Sequence, residues 1–254
     1  MKAKSISGLR KFLSKKRNIV IVTHWSPDGD AIGSSLGLSN YLLKRGHRAD
    51  VIVPNDYPEF LHWMKGNRTV VDALKHRKKA NTLLKDAEIV FCLDFNDLRR
   101  LNDLGKTIAA LPVPKVMIDH HPAPEDFAEY VLHKVSASST AELIHEFIVA
   151  DGGAKLIDRD IANCLYTGIM TDTGSFRFPS TSPKTMRVAA QLLEAGAEGA
   201  LNHNRIYDDN TEDRLRLLGF SLSEKLAVMP ELHTAFFTLT EAEQERFHYR
   251  KGDT

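Results

Sequence analysis

The chain has 254 residues, is 43% hydrophobic and 26% charged, and sets 34 Lys+Arg against 33 Asp+Glu. This is the make-up of one large or two small folded domains; it excludes a disordered chain and a chain-wide attraction for polyanions. Two cysteines far apart in sequence suit reduced thiols better than a disulfide framework. No run nears the ~18 apolar residues of a membrane span, and no apolar core follows Met1-Lys2 as in a secretory signal.

The first 17 residues carry seven Lys or Arg and no acid, with Ile6, Leu9, Phe12 and Leu13 spaced for one helical face. They read as a basic amphipathic helix packed on the domain, its charges either a solvated surface or a guide for a nucleotide strand. Ile19 to Val22 is a β-branched run that reads as a buried strand reaching Thr23. A turn follows with His24, Asp28 and Asp30, and Asp30 is expected to cap a helix from about Ala31 to Lys44. Small residues (Ala31, Gly33, Ser34, Ser35, Gly37) fill its first turns. Ala49 to Val53 is a second strand, and Pro54 to Met64 a loop with a short helix. A basic helical stretch from Leu74 to Lys85 leads to the strand Glu88 to Asp94. A helix is expected over Leu98 to Leu111, then the strand Lys115 to Asp119, ending in His120-His121-Pro122, and a further strand over Tyr130 to Val135. Ser138 or Ser139 caps the helix Thr140 to Ala150, closed by Gly152-Gly153. The helix Asp158 to Met170 runs into Thr171-Asp172-Thr173-Gly174, and Ser182-Pro183 opens another that reaches about Ala195.

This alternation predicts an α/β fold: a doubly wound, mostly parallel sheet with helices on both faces. We expect residues 1–210 to form this domain, 211–229 a connector helix, and 230–254 the start of a second α/β domain. In that last part Leu232 to Leu239 reads as a strand and Glu241 to Tyr249 as a helix. One strand and one helix bury no core, so this unit either packs on the first domain or belongs to a truncated second one. Cys92 and Cys164 lie in apolar segments and suit reduced, buried thiols of a cytoplasmic protein.

Four short motifs carry the chemistry: His24-x3-Asp28-x-Asp30, Asp94, Asp119-His120-His121, and Asp172. Parallel strands deliver their carboxyl ends to one edge, so these groups can converge there. Singly, each has an ordinary explanation, since D-G-D is turn chemistry and a lone Asp commonly caps. Together they look like ligands for hard metals. Arg177 lies just past Asp172 and either clamps a phosphate or stands at the surface. Ser136 to Thr140 opens a helix, offering N–H groups to an anion or simply capping.

The order T-H-x-x-P-D-G-D-A-I-G-S, an isolated Asp, D-H-H, then T-D-T-G resembles the DHH phosphoesterases, most closely the nano-RNase subgroup of bifunctional oligoribonucleases and pAp phosphatases. The resemblance covers about residues 1 to 254, and it is the four motifs in order that are specific. It implies that His24, Asp28, Asp30, Asp94, His120 and Asp172 bind two divalent metals, with Asp94 bridging. Ligation without thiolates favours Mn²⁺, with Mg²⁺ or Co²⁺ possible. Two divalent ions would cancel the charge of the four Asp ligands. His121 would contact the scissile phosphate and help protonate the leaving oxygen, and Asp119 would orient an imidazole ligand. The implied substrates are short single-stranded RNA and pAp, with a possible homodimer and no membrane partner. Members of the subgroup carry a second domain with a G-G-G-H motif that holds the nucleotide, and no such motif occurs here. Alternatives within the same chemistry are a cyclic-dinucleotide phosphodiesterase and an inorganic pyrophosphatase; outside it stands a non-catalytic nucleotide-binding module.

Overall fold

A computed structural model of the protein describes residues 6–250. Residues 1–5 and 251–254, and with them the side chain of Ile6 in the expected apolar face, lie outside the described residues. The short helix α1 (Ile6–Phe12) buries Leu9, and Leu13 just beyond it is buried as well, with Phe12 packed against the same core. Strand β1 (Asn18–Thr23) leads into α2 (Gly29–Lys44), β2 (Arg48–Val53), β3 (Val71–Asp72) and α3 (Arg77–Asp86). The chain then returns through β4 (Ile89–Leu93), α4 (Asp103–Ala110), β5 (Lys115–Asp119) and β6 (Tyr130–His133). Helices α5 (Thr140–Ala150), α6 (Arg159–Asp172), α7 (Pro183–Glu194) and α8 (Gly199–His203) follow.

The six strands form one sheet in the order β3-β2-β1-β4-β5-β6, and every pair is parallel. Alternate residues of β1 and β4 serve opposite faces. Ile19, Ile21, Phe91 and Leu93 pack with α2, α5 and α6, while Val20, Val22, Val90 and Cys92 pack with α3 and α4. Burial on both faces is why these strands read as unbroken apolar runs rather than alternating ones. Each such side chain contributes about 1.5–3 kcal/mol. Winding runs outward from β1 to β3 and then from β4 to β6, so β1 and β4 are neighbours whose following loops diverge. That divergence opens a crevice at the carboxyl edge of the sheet, the place where α/β folds hold ligands.

Helix α2 reaches this crevice because a stripe of glycine lets it lie almost on α6. A Cβ on Gly33 would stand 2.5 Å from the Cys164 carbonyl oxygen, and one on Gly29 2.4 Å from Thr171 Oγ1. The start of α2 therefore meets the end of α6, where Asp172 sits.

The expected helix over Leu98 to Leu111 is broken at Asn102, whose φ of 53° separates a 3-10 turn (Leu98–Leu101) from α4. Asp28, and not Asp30, caps α2: its side chain accepts from the Ala31 N–H, and the helix starts at Gly29. Towards the end of the chain, α9 (Glu212–Phe220) continues as a π-helical stretch over Ser221–Lys225, so the connector expected to be helical over 211–229 ends its helical course at Lys225. It precedes an antiparallel hairpin of β7 (Ala227–Met229) and β8 (Thr234–Phe236), then α10 (Glu241–Arg246). Cys92 and Cys164 are buried and unpaired. No helix among the described residues is long and apolar enough to cross a membrane.

Candidate metal centre

Eight of the nine expected site residues converge at the crevice. His24 follows β1, Asp94 follows β4, and Asp119 to His121 end β5; Asp28 and Asp30 stand at the start of α2, and Asp172 ends α6. Asp94 is the hub. Its Oδ2 lies 3.4 Å from His24 Nε2, and its Oδ1 lies 3.6 Å from His120 Nε2. His24 Nε2 is also 3.9 Å from Asp28 Oδ1, and His120 Nε2 is 3.2 Å from Asp172 Oδ2. One carboxylate thus faces two imidazoles with different oxygens, and each imidazole has a further carboxylate beside it. Donor atoms of His24, Asp28 and Asp94, and those of Asp30, His120 and Asp172, each gather within 4.8 Å of one another; so do those of Asp94, His120 and His121.

Local structure sets these orientations. Asp94 has a φ of 64°, a left-handed conformation unusual outside glycine, and its N–H donates to the Ile118 carbonyl. His24 Nδ1 donates to the Trp25 carbonyl at 2.8 Å, which turns Nε2 towards the carboxylates. Metal-binding imidazoles are commonly fixed in this manner. Asp30, almost fully buried, accepts from Thr140 N at 2.6 Å and Ala141 N at 2.8 Å. The anion at the start of α5 is therefore the protein's own carboxylate, while Ser139 caps the helix. Thr140 also donates from Oγ1 to Asp94 Oδ1 at 3.0 Å, linking the two carboxylates.

Asp119 holds His121 rather than His24 or His120. Its Oδ1 accepts from His121 Nδ1 at 2.7 Å, and its Oδ2 accepts from the His121 N–H at 3.1 Å. His133 Nε2 donates to the His121 carbonyl at 2.6 Å and fixes the loop from the next strand. Arg177 stands apart from the other eight. Its Nε donates to the Gly174 carbonyl at 2.7 Å, and among the described residues its side chain makes no ion pair with them.

Electrostatics follow from four crowded carboxylates. Burial, then the charges of Asp94, Asp172 and Asp28, push Asp30 well above the ordinary carboxylate range. Burial, then Asp94 and Asp28, raise Asp172 to about 7. Asp94 moves the other way: burial opposes its charge, but the hydrogen bond from His24 and the three nearby imidazoles outweigh it. Burial works to lower His24, yet its hydrogen bond with Asp94 and the charges of Asp94 and Asp28 raise it. The hydrogen bond to Asp119 raises His121, opposed in part by burial and by the charge of Arg100.

Thr140, His133 and Arg100 were not legible as site residues. Thr140 lay in a run whose anion-binding and capping uses look alike in sequence, and the other two carry no spacing signal. The donor set itself, oxygen and imidazole with no thiolate, fits divalent cations of the Mn²⁺ and Mg²⁺ kind.

The model of the DHH family, N-terminal domain, matches residues 18–169. The bifunctional oligoribonuclease and PAP phosphatase NrnA of Thermus thermophilus is 33% identical over 207 residues, covering 81% of this chain and 58% of that protein. The Bacillus subtilis protein of the same name is 29% identical over 227 residues, 85% of this chain and 66% of that one. The chain thus spans between about half and two-thirds of the length of the curated relatives of that name. The crystal structure of an exopolyphosphatase-related protein from Bacteroides fragilis superposes with a TM-score of 0.94 at 40% identity, covering 98% of this chain and 73% of that one.

Proposed function

The chain belongs to the DHH family, and on that premise we propose that it is a metal-dependent phosphoesterase. It hydrolyses short oligoribonucleotides to mononucleotides and removes the 3′-phosphate of 3′-phosphoadenosine 5′-phosphate (pAp). The observation that carries this reading is the placement of Asp94, with one oxygen towards His24 and the other towards His120. His24, Asp28 and Asp94 would hold one divalent ion, and Asp30, Asp94, His120 and Asp172 a second. Mn²⁺ suits these donors best, with Mg²⁺ or Co²⁺ also compatible. When bound, two such ions supply the Lewis acidity and the activated water that phosphoester hydrolysis requires.

The chain's own residues supply the rest. Asp119 accepts the hydrogen bond of His121 Nδ1–H and keeps the ring protonated to higher pH, so Nε2 can pass a proton to the leaving oxygen. Asp119 is a positioning residue in this scheme. Arg177, with Nε tied to Gly174, keeps its terminal nitrogens for a phosphate oxygen. We assign residues 1–210 to the catalytic domain, 211–229 to a connector and 230–254 to the beginning of a substrate-binding domain. The free, buried thiols suit a reducing, cytoplasmic setting.

The test is hydrolysis of pAp and of a 5′-labelled diribonucleotide, side by side, with and without Mn²⁺, alongside the metal content of the protein. Metal-dependent cleavage of both, with about two ions per chain, is the expected result. Two bound ions with neither substrate cleaved would overturn the substrate assignment and leave the metal centre standing.

A further inference from the structure

Trp25 directly follows His24, and its side chain lines a cavity of about 280 Å³ between α3 and α4. Its backbone is held on both sides: the N–H donates to the Arg100 carbonyl at 2.7 Å, and the carbonyl accepts from His24. Trp25, which lines the cavity, is therefore fixed beside His24. Trp25 is 38% exposed, so part of it is open to a ligand. Leu74 and Leu104 provide further apolar wall, and the Asn81 and Asn102 amides a polar one. A volume just under the ~300–1,000 Å³ of whole-ligand sites suits a single planar group.

A second feature lies on the same rim. Lys75-His76-Arg77-Lys78-Lys79 is a continuous basic run that opens α3, with no acid in the first turn of the helix. Lys75 is paired with Asp56, whereas Lys78 and Lys79 are exposed and enter no ion pair among the described residues. The chain as a whole is nearly neutral, so this charge is local. Because α3 starts just after β3, the run sits at the carboxyl edge of the sheet, where the metal centre also lies.

We propose that the groove between α3 and α4 is a subsite for the single-stranded RNA flanking the scissile phosphate. The neighbouring base stacks on Trp25 and enters the cavity, and the next backbone phosphate lies over Lys78 and Lys79. Aromatic stacking beside a basic track is how single strands are held without sequence preference. The inference rests on the oligoribonucleotide reading of the site.

Three measurements test it. The first is the ratio of kcat/KM on an RNA of about five nucleotides to kcat/KM on bis(p-nitrophenyl) phosphate, which has no base. Trp25→Ala should lower that ratio about tenfold, the loss expected for one base stack. Replacing Lys78 and Lys79 together by Ser should flatten the salt dependence of RNA binding by up to about 0.7 per lost phosphate contact. The third is indole fluorescence in a Trp63→Phe background, where Trp25 is the remaining tryptophan. Titration with the same RNA should quench it. RNA cleavage with an unchanged ratio and no quenching would overturn the subsite while leaving the proposed function intact. Quenching without RNA cleavage would support the subsite and sink the substrate assignment instead.

Discussion

Asp94 combines a left-handed backbone with a carboxylate that looks both ways, and this makes the choice of substitution decisive. Asn tolerates positive φ and keeps the size of the side chain while removing its charge. Asp94→Asn should cut kcat at least ~10³-fold, the loss of several kcal/mol of charge stabilisation, with an unchanged far-UV circular dichroism spectrum. Asp94→Ala should also abolish hydrolysis and leave the fold, with ~1–2 kcal/mol of added backbone strain. Turnover by the Asn variant within about tenfold of wild type would refute a shared carboxylate. Asp119 is tested differently, through the group it positions. Its hydrogen bond raises His121, so the ring stays protonated further into the alkaline range. Asp119→Asn should move the alkaline limb of the kcat profile to lower pH and reduce kcat above neutrality about 10- to 100-fold, with metal content unchanged. An unmoved limb would exclude His121 as the proton donor.

Between elements, the contact that matters most is α2 on α6, because it carries Asp172 to Asp28 and Asp30. Gly33→Ala would set a methyl group 2.5 Å from the Cys164 carbonyl oxygen. That backbone cannot yield cheaply, and we expect a loss of about 1–3 kcal/mol. At roughly 2–4 °C per kcal/mol for a chain of this size, calorimetry should show a clear fall in Tm, accompanied by lower activity. Gly219→Ala is the control: a Cβ there meets nothing within 4 Å, so Tm should hold or rise slightly. Much of this level was legible beforehand. The strand Lys115 to Asp119 and the helix Thr140 to Ala150 have the expected bounds, because each is a clean apolar pattern between strong punctuation. Strand β3 spans only two residues and is too short to show a period. The break at Asn102 depends on one backbone angle that Asn tolerates and does not dictate. Asp30 was misread as a cap because an Asp near a helix start looks the same whether it bonds its own helix or another. Only the approach of α5 decides, and that is a tertiary fact.

Across the whole molecule, the sheet's reversal of direction gathers charge that the fold by itself does not favour. Asp30 and Asp172 hold folded-state pKa values above the usual carboxylate value, so the folded chain binds more protons than the unfolded one in the window from about pH 4 to 7. His24 and His121, both raised, add stability at the acidic side that is lost as pH rises. Asp94, lowered, opposes this only at and below the ordinary carboxylate range. Protein treated with a chelator should therefore melt higher at pH 5.5 than at pH 7.5, by a few degrees, and Mn²⁺ should reverse that order. Scanning calorimetry at the two pH values checks it; equal melting temperatures with chelator would contradict the charge crowding. The amide protons of Thr140 and Ala141 rest on the same Asp30 carboxylate that faces His120 and Asp172, so they should resonate well downfield. A cation drawing electron density from Asp30 would move both resonances together. Two backbone amides that ligate nothing would thus report the occupancy of the centre from inside the protein.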